Sequence, residues 1–346
     1  MLNLDDRTWE PFFIGDIFTV KRPKARSEKD YKDGKSPFIA SGNFNNGVIR
    51  CCEPHADETL DKGNCITVSP VDGSAFYQQS DFLGRGGAGS SILLLYCEHI
   101  NKYSGLFLAR LIRQTCSKYC YGKMGNQDGI KREKILLPIT DDGQPDYAFM
   151  EQYIREREDK LKQKYIDFIG SNYDIGGFPS LEQKTWKAFA IGDLFDSYTG
   201  TDLIISKITE GEIPVISHAA TNNGIACYSA VIERRPIFSH NNTISLADRG
   251  NFKAFVQKTD FYIGTRVKAL VSKNVLSKEV LVFIANSIDK QAVKFSYGYN
   301  ATDNIDKLHI MLPTTDEGSP DYEYMEQYIK AVMFGKYKKY LEYAQR

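Results

Sequence analysis

Arg22, Lys24, Arg26, Lys29 and Lys32 fall within one short stretch of the chain. Cations at that density suit a run of phosphate oxygens, which they attract by charge and, for arginine, grip through a fork of N–H donors; a solvated charged face is the alternative. Asn45 and Asn46 precede Gly47, and Asn222 and Asn223 precede Gly224. An Asn-Gly pair marks a hairpin turn, and an asparagine amide also matches the edge of adenine through two hydrogen bonds. Arg85, Lys123, Asn126 and Gln127 extend this recognition chemistry in the first half of the chain, and Arg234, Arg235, Arg249, Lys253 and Arg266 in the second. His218 and His240 are the two histidines placed as polar readers on loops, with a structural or surface role as the alternative for each.

No catalytic constellation accompanies them. GRGGAGSS at Gly84 to Ser91 is glycine-rich but lacks the Gly-Lys-Ser/Thr ending of a phosphate-binding loop, and fits a tight turn or close backbone approach instead. Methyltransferase signatures of the Phe-x-Gly-x-Gly and Asn/Asp-Pro-Pro-Tyr kinds are absent. Pro145-Asp146 followed by Glu158-Asp159-Lys160 superficially matches a metal-dependent nuclease, yet both parts fall on one expected helix. The five histidines and seven cysteines form no metal-ligand spacing, so no metal is expected and the cysteines read as ordinary thiols.

The elements that must position these residues occur twice. WEPFFIGDIF at Trp9 returns as WKAFAIGDLF at Trp186, and LPITDDGQPDYAFMEQYI at Leu137 returns as LPTTDEGSPDYEYMEQYI at Leu312. Between them PFIASGNFNNGV aligns with PVISHAATNNGI, and AFYQQSDF with AFVQKTDF. A repeat this long buries a core of its own, so the chain reads as two similar domains. The basic loop at Arg22 to Lys35 has a counterpart, Thr199 to Glu212, that is not basic. Equal frames with unequal loops imply one architecture reading two targets.

The composition, 42% hydrophobic and 25% charged over 346 residues, is that of a globular protein. No apolar run reaches membrane-spanning length and no signal peptide is evident, which leads us to expect a cytoplasmic chain without a membrane partner. Net charge is zero, but its distribution is uneven. Residues 1–137 hold 19 Lys+Arg against 16 Asp+Glu and 187–311 hold 14 against 12, whereas 138–186 hold 6 against 10 and 312–346 hold 5 against 6.

Short β-branched and aromatic runs between Gly, Asn and Asp turns predict strands, with one helix per copy at Tyr103 to Lys118 and Lys278 to Lys294. The fold class is therefore α+β, two tandem strand-rich domains each followed by a repeated helix. Asp146 and Asp321 are placed to cap those helices. Apolar residues recur at helical spacing along these helices as a stripe, and Met150, Tyr153, Ile154, Met325, Tyr328 and Ile329, apolar or aromatic positions retained in both copies, are expected to bind a protein partner, with packing inside this chain as the alternative. The first helix is expected over Asp146 to Ile169 with Gly170 as its stop. The boundaries follow: domain 1 at 1–137, repeated helix at 138–170, linker at 171–185, domain 2 at 186–311 and second repeated helix at 312–346.

A variable domain ending in an LP strand, then a repeated helix, then the whole unit again, resembles the specificity (S) subunits of multisubunit restriction-modification systems. The openings WEPFFIGDIF and WKAFAIGDLF look most like those of type IIB systems of the Bcg kind. The resemblance implies two target recognition domains reading a split, asymmetric site in double-stranded DNA. It further implies that the helices pair antiparallel as a spacer and dock methyltransferase or methyltransferase-nuclease subunits. The chain would then be non-catalytic by itself and hold no cofactor, S-adenosylmethionine and magnesium being bound by the partners. A two-domain protein-binding adaptor without DNA recognition stays open as the alternative, as does a two-lobed enzyme, which the missing catalytic cluster disfavours.

Overall fold

The structure is a computed structural model describing residues 1–87, 91–120, 122–172, 179–248, 251–294 and 304–344. Two compact units, 1–164 and 165–346, divide it. In the first, β1 (Trp9–Phe13), α1 (Ile14–Ile17), β2 (Thr19–Lys21), β3 (Asp33–Ile39), β4 (Val48–Cys52), β5 (Cys65–Val68) and β6 (Ala75–Gln78) come in order. They are followed by β7 (Leu83–Gly84), β8 (Leu93–Tyr96), α2 (Lys102–Cys116), α3 (Gln127–Lys131), β9 (Lys134–Pro138) and α4 (Tyr147–Ser171), whose last turns belong to the second unit. The second unit continues with β10 (Trp186–Ala190), α5 (Ile191–Leu194), β11 (Phe195–Thr199), β12 (Glu210–Ile216), β13 (Ile225–Ser229) and β14 (Thr243–Ala247). It ends with β15 (Lys253–Val256), β16 (Tyr262–Ile263), β17 (Val267–Ser272), α6 (Lys278–Asp289), β18 (His309–Pro313) and α7 (Tyr322–Ala344).

The duplication read in the sequence is a duplication of topology. Strand order β2-β8-β5-β6 in one four-stranded sheet is repeated as β11-β17-β14-β15, and β4-β3-β7 as β13-β12-β16. Even the irregularities recur: the register shifts between Asp33 and Ser36 in β3 and between Glu210 and Ile213 in β12. Gly34 and Gly211 stand at these bulges, where a Cβ would lie 2.3 Å from the Glu53 amide and 2.2 Å from that of Ala230. Only glycine fits such a backbone approach.

Each core lies between the four-stranded sheet and its helix. α2 starts at Asn101, whose side chain accepts from the Tyr103 and Ser104 amides, and buries Phe107, Leu108 and Ile112. α6 starts at Ser277 and buries Leu281, Phe283, Ile284 and Ile288. The expected helices thus exist, the second ending at Asp289 in a 3-10 turn rather than continuing as α-helix to Lys294.

β1 pairs with β9 and β10 with β18, each antiparallel from Trp9↔Pro138 and Trp186↔Pro313. The helix that follows starts from this ribbon. Asp146 accepts from the Phe149 amide at 2.8 Å and from Arg7 Nε at 2.9 Å; Asp321 accepts from the Tyr324 amide at 3.0 Å and Lys184 Nζ at 2.7 Å. Both caps are where the sequence places them. Gly170 is not the stop expected of it: α4 runs through it to Ser171, because nothing crowds the glycine and the preceding turns are already helical. Residues 173–178 of the expected linker lie outside the described residues, and its later part holds a 3-10 turn at Leu181–Gln183.

The apolar stripe of the repeated helices divides into two uses. Met150 and Met325 are fully buried, and Ile329 nearly so, in the core of their own unit. The Phe107 ring stands edge-on to Tyr153 at 5.5 Å, and Phe283 edge-on to Tyr328 at 5.7 Å. Further along, within the second unit, Tyr165 stacks on Tyr337 at 4.0 Å and meets Tyr340, while Phe168 meets Tyr337. As α4 advances from 165 to 168 its partner on α7 steps back from 340 to 337, so these last turns run antiparallel.

Candidate nucleic-acid interface

The Asn-Asn-Gly segments are left-handed turns linking β3 to β4 and β12 to β13. Asn45, Asn46 and Gly47 have φ of 46°, 57° and 78°, and Asn222, Asn223 and Gly224 have 51°, 51° and 75°. Asparagine and glycine tolerate this region more readily than other residues. A buried glutamine clamps each turn. Gln78 Nε2 donates to Asn46 O and Thr67 Oγ1, both at 3.0 Å, and Gln257 Nε2 donates to Asn223 O at 2.9 Å and Ser245 Oγ at 2.8 Å. Asn45 and Asn222 turn their amides back to Val48 O and Ile225 O, and Asn46 bonds Tyr77 O and Gln78. For Asn45, Asn46 and Asn222 the turn reading displaces the base-reading one, since their amides already hold the turn. Asn223 belongs to the same turn through its carbonyl.

The basic loop is split by burial. Arg22, Lys24, Lys29 and Lys32 are exposed and form no ion pair among the described residues. Arg26 is 7% exposed and holds Glu58 and Asp61 at 2.6 Å each, with further bonds to Gly84 O and Thr59 O. Burial alone would lower its pKa, and the two carboxylates reverse that and raise it. Burial likewise pushes the neighbouring Tyr31 hydroxyl up to about 12, helped by its bond to Glu58. Arg26 is a structural ion, unable to reach a phosphate without abandoning two acids.

Other predicted readers are also committed elsewhere. Asn126 caps α3 by accepting from the Gly129 amide, and Gln127 donates to Val20 O. Arg235 bonds Thr201 O and Ile263 O, and burial lowers its pKa. Lys253 pairs with Asp289, His240 with Asp260 at 2.7 Å, and Arg85 with Glu28 at 3.0 Å. Lys123, Arg234, Arg266 and His218 remain exposed. Arg249 lies outside the described residues.

Hydrogen bonds hold the loops that carry the exposed groups of the first unit. Gly86 N bonds Lys24 O, Arg85 N bonds Ile39 O, and Ser41 Oγ bonds Ser91 O. Ser74 Oγ bonds Gly42 O, and Gly125 N ties the loop holding Lys123 to Pro70. Unit 2 repeats part of this, with Gly264 N on Ile216 O and Asn251 on His218 O. The glutamine clamp was the signal missed in the sequence: Gln78 and Gln257 are matched within AFYQQSDF and AFVQKTDF.

An open cleft of about 910 Å³ beside β2 and β8, lined by Asp16, Lys21, Lys62, His99 and Tyr147 among others, contains none of the predicted readers. No group of three or more potential metal ligands occurs among the described residues, and no helix there is long and apolar enough to cross a membrane.

A model of the type I restriction modification DNA specificity domain matches residues 6–165 and again 183–341. A relative from Heyndrickxia coagulans, the Type II restriction enzyme BgcI specificity subunit S.BcgI, is 26% identical over 328 residues, covering 93% of each chain. Among solved structures, the S subunit of a type I restriction-modification system from M. genitalium aligns at 15% identity and a TM-score of 0.41, covering 99% of this chain and 93% of the other. The HsdS subunit from Thermoanaerobacter tengcongensis aligns at 11% identity and 0.33, covering 98% and 92%.

Proposed function

The chain belongs to the family of type I restriction modification DNA specificity domains, of which it holds two, and on that premise we propose that each unit reads one half of a bipartite site in double-stranded DNA. Its role is sequence specificity in a restriction-modification system, not catalysis. The observation that carries the bipartite reading is the pair of identical strand orders bearing different loops. Unlike loops on like frames recognise unlike halves, so the site is asymmetric.

On this reading methylation and cleavage, with S-adenosylmethionine and magnesium, belong to methyltransferase or methyltransferase-nuclease subunits. Met150 and Met325 are buried in their own cores and cannot meet such a partner. Among the described residues, Leu161, Ile166, Val332 and Tyr343 are the large apolar residues exposed on the repeated helices and available for docking. The α4 helix of 25 residues is about 37 Å long at 1.5 Å per residue, close to one DNA turn of about 34–36 Å. Antiparallel pairing of α4 and α7 as a spacer then sets the half-sites about one turn apart.

Methylome sequencing of cells that co-express the chain with its methyltransferase partner tests the proposal. A single split motif with unlike halves is expected. A continuous motif, or none despite a stable complex, favours the protein-binding adaptor.

A further inference from the structure

The two clamped turns hold the loop before them in the same way. Ala40 N bonds Gly47 O at 3.0 Å and Gly47 N bonds Phe44 O at 2.8 Å; Ser217 N bonds Gly224 O at 2.7 Å and Gly224 N bonds Thr221 O at 2.9 Å. Within this shared backbone the contents differ at every position: Ser41-Gly42-Asn43-Phe44 in one unit, His218-Ala219-Ala220-Thr221 in the other. Phe44 leaves 75% of its surface in water although its carbonyl is fixed. A phenyl ring presented on a pinned loop offers a positioned apolar contact. Exposed Lys24 of the same unit supplies a cation for phosphate, and the methyl group is the apolar feature that thymine shows in the major groove.

We propose, resting on the DNA-reading function above, that Ser41–Phe44 and His218–Thr221 are the base-reading segments of the two units, and that Phe44 packs on the 5-methyl group of a thymine in the first half-site. The clamped turn behind each segment is the constant part of the reader. His218, whose carbonyl is held by Asn251, presents its imidazole to a purine edge in the second half-site.

The test uses the complete complex with its methyltransferase subunits and selection from a randomised duplex library. Replacing Ser41–Phe44 with the sequence His-Ala-Ala-Thr is expected to change the bases selected in one half-site and leave the other intact. Phe44→Ala is expected to weaken one thymine preference about tenfold or more. Substituting uracil for that thymine, which removes only the methyl group, should cause the same loss with the unaltered chain and no further loss with Phe44→Ala. The uracil arm keeps the proposal testable even if the segment exchange fails to fold. Both half-sites unchanged in the exchange, or equal binding of thymine and uracil at every position, overturns it. So does a Phe44→Ala chain that loses its methyltransferase subunit without DNA, which would make Phe44 a protein contact. An unaltered complex that selects no motif sinks the DNA-reading function itself, whereas a selected motif indifferent to these changes sinks only the present proposal.

Discussion

Arg26 and Lys24 are two residues apart and have opposite fates. Lys24 is exposed, whereas Arg26 is enclosed by Glu58 and Asp61. Arg26→Ala would leave two carboxylates without their counter-ion, a loss of about 3–5 kcal/mol, measured by urea unfolding. Lys24→Ala should leave stability nearly unchanged. In the complex it should reduce the slope of log affinity against log salt by about 1, the signature of one lost phosphate contact. An Arg26→Ala chain that folds normally but loses salt dependence would reverse these assignments. Gln257 makes a second test: Gln257→Ala strands the Asn223 carbonyl and leaves the Ser245 hydroxyl only its bond to Phe255 O, and should cost about 1–3 kcal/mol.

The repeated helices start at aspartates whose charge is part of the fold. Burial would raise the Asp321 pKa, but the Lys184 ammonium and Tyr324 amide outweigh burial and hold it below the usual carboxylate range. Glu58 is lowered in the same way, its burial outweighed by bonds from Arg26 and Tyr31. A depressed folded pKa contributes stability above the unfolded value near 4, and that contribution disappears as pH falls through the folded value. Thermal melting should therefore weaken on acidification below about pH 4.5, and Asp321→Asn should flatten that dependence. The caps were legible because Pro-Asp before a helical stripe admits few readings. The division of the stripe was not. Met150 and Met325 repeat with the frame whether they face a core or a partner, and only Phe107 and Phe283 across the interior decide it. Nor could spacing show that Arg26 is buried, since its acids come 32 and 35 residues later, on a loop.

At the scale of the whole molecule the duplication was the most legible feature, because strings such as IGD and PDY recur with nearly constant offset while the strands between them keep their order. Which loop residues read a target was the least legible: charge and amide groups serve turns, caps and ion pairs as readily as ligands. On the proposed function, half-sites of about three or four base pairs centred about one turn apart should leave a gap of about six or seven. Footprinting of the assembled complex checks this, and identical inverted halves would contradict it. The ribbons Trp9↔Pro138 and Trp186↔Pro313 carry a different consequence. The chain enters and leaves each domain at adjoining residues, so a domain can be exchanged through two neighbouring junctions without re-routing the rest. Specificity of this design is combinatorial: a pool of ten interchangeable first domains and ten second ones would encode about a hundred addresses, from parts that never need to evolve together.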